Sequence, residues 1–169
     1  MLSERPMREA DRIYTILTRD LGLVRAMAIG VRKEVSKLRG NIEPFSLASI
    51  SFVKGKEFWR ITSAQLLQSI AVSPGIARPL FLIEKLVQGE DPHPELFDVI
   101  EQSIFFHPER SRGALESDEM FEVRLVSQIL FHLGYLNEAD LGLDLTTQAG
   151  KKEIIRAINK GMEASNLIE

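Results

Sequence analysis

Two hydrophobic periods divide this chain. Along Arg12–Thr18, Ile13, Thr15 and Leu17 alternate with Tyr14, Ile16 and Thr18, the period of two that marks a β-strand. Arg19-Asp20-Leu21-Gly22 reads as a short turn, with Gly22 suited to a positive φ. Alternation resumes over Leu23–Val31, with Leu23, Arg25, Met27 and Ile29 on one face and small Val24, Ala26 and Ala28 on the other, which predicts a hairpin. The stretch from Gly30 to Gly40 is polar and irregular, so it is expected to be a loop. Phe45–Lys54 reads as a further strand whose apolar phase shifts between Phe45, Leu47 and Ile50, Phe52, as a β-bulge would shift it. Lys54-Gly55-Lys56 then turns into a strand at Phe58–Thr62, with Trp59 and Ile61 facing opposite to Phe58 and Arg60. Short strands, a bulge and glycine corners favour a small barrel over an open sheet.

Beyond about residue 65 the period becomes that of helices. Leu80, Ile83, Leu86 and Val87 form one stripe over Pro79–Gln88, and Leu96, Phe97, Ile100 and Ile104 form another over Glu95–Phe106. The clearest helix spans Asp118–Leu133, with Ser117 as its N-cap, Asp118 and Glu119 at its positive end and Gly134 after its last turn. A last helix over Gln148–Ala164 carries Ile154, Ile155, Ile158 and Met162, and Gly150 and Gly161 weaken it. The Ser-Pro-Gly of Ala71–Arg78 is the expected domain boundary. The implied class is α+β, a β-barrel at 1–70 followed by an all-helical domain at 71–169.

Charge sharpens the division. Residues 1–65 hold 12 Lys and Arg against seven Asp and Glu, a net of +5; the rest hold nine against 17, a net of −8. A basic segment beside an acidic one suggests that the first part meets a polyanion. The chain has no cysteine, so disulfides and thiolate metal sites are excluded. No apolar run reaches the roughly 20 residues of a membrane span, and the first residues lack the apolar core of a signal peptide. A cytoplasmic protein that does not enter a membrane is expected.

Catalytic patterns are weak. His93, His107 and His132 have no second ligand at helical metal spacing, and neither a phosphate loop nor a nucleophile elbow is present. No enzyme, cofactor or metal is expected. Single-stranded nucleic acid, by contrast, is held by a basic groove and by aromatic faces on which bases stack. Arg19, Arg25, Arg32, Lys33, Lys37, Arg39, Lys54 and Arg60 are the candidate phosphate contacts, interleaved with Tyr14, Phe52, Phe58 and Trp59. Phe58, sharing a face with Arg60, is the stacking candidate, whereas Trp59 shares the Ile61 face and is expected in the core.

Several short motifs resemble the RecO recombination mediators of bacterial DNA repair. They are Arg5-Pro6 with Glu9-Ala10-Asp11, Leu17-Thr18-Arg19 with Gly22, Gly30-Val31-Arg32-Lys33, Ser36-Lys37-Leu38-Arg39-Gly40, Pro44-Phe45 and Thr62-Ser63-Ala64. Phe121-Glu122-Val123-Arg124-Leu125 and His132-Leu133-Gly134-Tyr135 continue the match into the helical part. The resemblance implies an N-terminal OB-fold barrel and a helical C-terminal domain. It also implies binding of single- and double-stranded DNA, annealing of strands, and partnership with RecR. Contact with the acidic C-terminal tail of the single-strand-binding protein, and through it the loading of RecA, is implied as well. Arg124, beside the apolar stripe of its helix, is the candidate contact for that acidic tail.

Three departures from the family pattern stand out. Family members usually begin with a strand ending at the equivalent of Leu2-Ser3, and almost nothing precedes it here, so either a truncated start or a barrel lacking most of its first strand is expected. The four-cysteine zinc site found in many members after Leu-Gly-Tyr has no counterpart. Residues after Tyr135 are few, so the helical domain is expected to be shortened. The rival reading is a protein-only adaptor whose barrel docks acidic partners.

Overall fold

The computed structural model describes residues 1–106, 117–145 and 147–165. His107 lies outside them. The strands β1 (Ser3–Pro6), β2 (Arg12–Thr18), β3 (Gly22–Ala28), β4 (Ser46–Lys54) and β5 (Trp59–Ser69) form one sheet in the order β1-β2-β3-β5-β4. Neighbours are antiparallel except β3 and β5, which run parallel through the pairs Ala26–Trp59 and Met27–Arg60. The two ends of this order are tied together. The Met1 amino group donates to the Ser46 carbonyl (3.0 Å), and the Phe45 N–H donates to the Met1 carbonyl (2.9 Å). The residue ahead of β1 therefore bonds to the head of β4. β1 lies at Ser3–Pro6, where the alternation predicts no strand, and all four of its residues pair with β2.

Side-chain size explains the sheet's inner face. Val24, Ala26 and Ala28 point inward from β3 and are fully buried against Tyr14, Ile16, Ile61, Val31 and Ile42. Alanine at two of these positions leaves the volume of a narrow core to the residues packed against it, and larger side chains there would overpack it. The opposite face of β2 is not simply exposed, because Thr15 and Leu17 are also buried. The phase change in β4 corresponds to register shifts between Leu47 and Ala48 and between Ser51 and Phe52.

β5 departs from its expected length. It begins at Trp59, leaving Phe58 in the preceding turn, and it continues to Ser69 rather than ending at Thr62. Its second half carries few strongly β-forming residues, and backbone pairing with β4 from Ser46 onward holds it extended. A partner strand, rather than local propensity, decides the conformation there.

The helices are α1 (Pro74–Leu86), α2 (Pro94–Phe105), α3 (Asp118–His132), α4 (Glu138–Leu141) and α5 (Gln148–Ala164). α1 starts five residues before its expected proline and carries Pro79 inside it. Its N-terminus is satisfied from a distance: Asp118 accepts from the Gly75 N–H (2.9 Å) and from the Ser73 hydroxyl. Ser117 caps α3 by accepting from the Met120 N–H, and Gly134 follows it at φ 80°. Phe121, Leu125, Ile129 and Leu130 of α3 are buried, as are Ile76, Leu80 and Ile83 of α1 and Ile154 of α5. α4 is a single turn with a capping box from Asn137 and Asp140, too short to leave a periodic signal. The α5 glycines serve close approach: a Cβ on Gly150 would lie 2.0 Å from the Asp144 carbonyl oxygen, and one on Gly161 would lie 3.2 Å from that of Tyr135. No described helix is long and apolar enough to cross a membrane.

Two compact units result. One comprises Met1–Val72 with Val87–Phe97, and the other comprises Ser73–Leu86 with Asp98–Glu169. The segment carrying Gly89-Glu90-Asp91 thus belongs with the strands. Leu23 donates to the Gly89 carbonyl (3.1 Å). Gly22, at φ 71°, leaves room for the Asp91 backbone, whose carbonyl oxygen would lie 2.2 Å from a Cβ there.

Burial lowers the pKa of the Met1 amino group from its ordinary 8.0 to about 5. Between those values the unfolded chain binds this proton and the folded chain does not. Folding stability should therefore rise with pH from about 5 to 8, by at most about 1.4 kcal/mol per pH unit for one proton. Urea unfolding of the chain with a free amino group should show this slope in excess of that of the N-acetylated chain; identical slopes would refute it.

Candidate nucleic-acid interface

The basic connection between β3 and β4 is a run of turns held by its backbone and its apolar residues. Gly30, at φ 64°, donates its N–H to Oδ1 of the buried Asp11 (2.7 Å). The Asp11 carbonyl in turn accepts from the Met7 and Arg8 N–H groups, so this one residue closes the β1–β2 turn and fixes where the loop starts. Val31 and Ile42 are buried and Leu38 packs beside them. The Asn41 side chain donates to the Lys37 carbonyl (3.0 Å) and accepts from the Leu66 N–H (3.2 Å). With the inward positions taken by apolar residues, the charged ones face water.

Arg32, Lys33, Lys37 and Arg39 are all exposed on this connection, together with Glu34 and Val35. The Arg32 guanidinium donates to the Glu9 carbonyl (2.9 Å), which orients it without neutralising it. Among the described residues, Lys33, Lys37 and Arg39 form no ion pair. Four cations on a short anchored loop form a surface suited to a polyanion.

A second group lies along the β3–β5 junction. Arg25 and Phe58 each precede the Ala26–Trp59 pair by one residue, and Arg60 pairs with Met27. The inward positions of these strands are Val24, Ala26 and Ile61, so Arg25, Met27 and Arg60 occupy the opposite face. Arg25 and Arg60 are exposed and Phe58 is half-buried. Topology thereby brings Arg25 near Phe58 and Arg60, which follow it by 33 and 35 residues in sequence.

The remaining candidates stand elsewhere. Arg19 is exposed in the β2–β3 turn, 4.0 Å from the Asp20 carboxylate. On α3, the Arg124 guanidinium lies 5.6 Å from the centre of the Phe121 ring. Tyr14 is a core residue, its phenol pKa raised by burial.

Lys54 is not a free cation. Its Nζ lies 3.2 Å from Oε2 of Glu90 and 5.2 Å from the centre of the Trp59 ring. Trp59 packs against the core, edge-on to Phe52 at 6.1 Å between ring centres, yet its Nε1–H donates to Oε1 of Glu90 (2.7 Å). The tryptophan is thus both core packing and polar contact, as its apolar body and single donor allow. Glu90 is the residue that sequence reasoning missed. It sits 31 residues from Trp59 and 36 from Lys54, in a Gly-Glu-Asp-Pro stretch without periodic signal.

Fold and surface together define a small α+β protein whose sheet unit carries exposed cations. The model of the family described as "Recombination protein O N terminal" matches residues 1–70. Proteins named DNA repair protein RecO are similar over longer stretches. One from a Synechococcus species is 35% identical over 144 residues, covering 76% of this chain and 48% of the relative. One from a Nostoc species is 33% identical over 143 residues (78% and 46%), and that of Gloeothece citriformis is 33% identical over 114 residues (62% and 39%). The chain belongs to the RecO family, and it spans about half the length or less of these relatives.

The hydrogen bond from Trp59, then the contact with Lys54, hold the Glu90 carboxyl below the usual glutamate range. Their contribution is present at neutral pH and is lost as pH falls through that lowered value. Trp59 is the sole tryptophan, so its emission reports the contact directly. On acidification the emission should change only below the ordinary glutamate range, and Glu90→Gln should abolish the transition. A transition that survives Glu90→Gln would show that another group is responsible.

Proposed function

We propose that this protein acts in DNA repair and homologous recombination as a non-enzymatic mediator, binding single- and double-stranded DNA and annealing complementary strands. The observation that carries the reading is the anchored connection with Arg32, Lys33, Lys37 and Arg39 exposed, within the part that matches the family. The strand order β1-β2-β3-β5-β4, with its parallel β3–β5 step and the Met1 bonds to Phe45 and Ser46, supports an OB-fold barrel at 1–70. A helical domain at 71–169 completes the proposed organisation. Annealing requires charge neutralisation and release of strands, without bond-making chemistry. Arg25, Arg60 and Phe58 would extend the interface as two phosphate contacts and a stacking surface.

In this reading the chain works in the cytoplasm with RecR and with the acidic tail of the single-strand-binding protein, and so aids RecA loading. Arg124, partly exposed on α3 with its guanidinium beside the buried Phe121 ring, would offer such a tail its cation. Arg124→Ala should weaken binding of an acidic tail peptide; unchanged affinity would remove this residue from the contact.

The decisive measurement is a salt titration of binding to single-stranded DNA. Four neutralised phosphates correspond to a log–log slope of about −3. Replacing Arg32, Lys33, Lys37 and Arg39 together with alanine should flatten the slope and weaken single and double strands alike. Phe58→Ala should weaken single strands selectively, by about 1–3 kcal/mol. A quadruple variant with the affinity and slope of the parent would favour the protein-only adaptor.

A further inference from the structure

We infer that Lys54 and Trp59 form a phosphate-binding subsite of the sheet unit and that Glu90 occupies it in the free protein. This rests on the nucleic-acid reading above and adds a residue that regulates it. Lys54 and Trp59 are a cross-strand pair on β4 and β5, so the backbone register places an ammonium and an indole N–H side by side. Both donate to one carboxylate, each to a different oxygen, at 3.2 and 2.7 Å. A phosphodiester carries the same features as that carboxylate: one negative charge shared by two oxygens a short distance apart. Donors that hold one can hold the other.

The site is open to such an exchange. The side chains of Lys54 and Glu90 are 70% and 44% exposed, so water weakens the ion pair and a competing anion can reach it. Arg60, the next residue on β5, pairs with Val53 and lies on the other face of the sheet, so the subsite consists of Lys54 and Trp59 alone. Glu90 is also placed by more than its own side chain. The Leu23 N–H bond to Gly89 and the close approach of Gly22 to Asp91 hold the backbone on both sides of it. The carboxylate can therefore leave while its segment stays docked, and the donors it releases add one cation to the interface.

The test compares parent, Glu90→Gln, Lys54→Ala and the double variant in binding to a fluorescent oligothymidylate over a range of salt, with folding of each checked by circular dichroism. Glutamine keeps an acceptor for Trp59 and removes the charge. Glu90→Gln should bind about fivefold tighter, the order expected for removing one exposed like charge, with a slope steeper by about 0.7. In the Lys54→Ala background the gain should disappear. In the parent, whatever the behaviour of the variants, saturating oligothymidylate should shift Trp59 emission as its bond to Glu90 is replaced. A parent that binds with a salt-dependent slope while Glu90→Gln matches it, or while Trp59 emission stays fixed at saturation, overturns the subsite and leaves the DNA-binding reading standing. Absence of binding by parent and Glu90→Gln alike at low salt overturns both.

Discussion

The sheet unit depends on the small inner face of β3. Val24, Ala26 and Ala28 line that face, and Ala26 and Ala28 retain no exposed surface. In the plane of the sheet β3 pairs antiparallel with β2 on one side and parallel with β5 on the other. Tyr14, Ile16 and Ile61 supply the volume that β3 omits. Larger residues at the alanine positions would overpack this core and strain the sheet whose β3–β5 pairing places Arg25 near Phe58 and Arg60.

Loop and sheet are coupled through polar groups as well as through packing. A buried carboxylate needs hydrogen bonds, and Asp11 meets that need with the N–H of Gly30, at the start of the basic connection. The connection therefore leaves the sheet in a defined direction, with Val31 and Ile42 turned inward. The four exposed cations are a consequence: once the apolar positions are taken by the core, the charged ones between them turn outward, Arg32 with a hydrogen bond to the Glu9 carbonyl. Charge of one sign can be concentrated there because the scaffold, not ion pairing, holds the loop.

Acidic residues have separate duties on the two units. On the helical unit, Asp118 caps α1 across 43 residues of sequence, and Glu122 pairs with Arg78 at 3.2 Å. These contacts explain why α1 begins at Pro74, ahead of its periodic stripe: the first-turn N–H of Gly75 is satisfied by a side chain on α3. On the sheet unit, Glu90 meets the Lys54–Trp59 pair, so the basic surface carries an acid of its own. The contrast between a basic first part and an acidic remainder is real as a sum, but it hides this local pairing.

Local pattern determined a good deal by itself. The two-residue alternation places β2 and β3, and the capped, four-spaced stripe places α3, because each signal lies within one element; in β3 it reflects one buried face, whereas β2 is buried on both faces from Tyr14 to Leu17. The basic loop was legible from its composition and its flanking glycines, and the family resemblance from short ordered motifs. The far half of β5, the early start of α1 and the one-turn α4 were not. Their backbone groups are satisfied by a partner strand, by a distant aspartate or by a capping box too short to show a period. The candidate surface divides in the same way. Sequence named Arg32, Lys33, Lys37 and Arg39 as a cluster because they are neighbours along the chain. Only the parallel β3–β5 step could join Arg25 to Phe58 and Arg60, and only the docking of Gly89–Asp91 on the β2–β3 turn could bring Glu90 to Lys54 and Trp59. Contacts closed across 30 residues or more leave no local period, since pairing and packing select them only once the chain has folded.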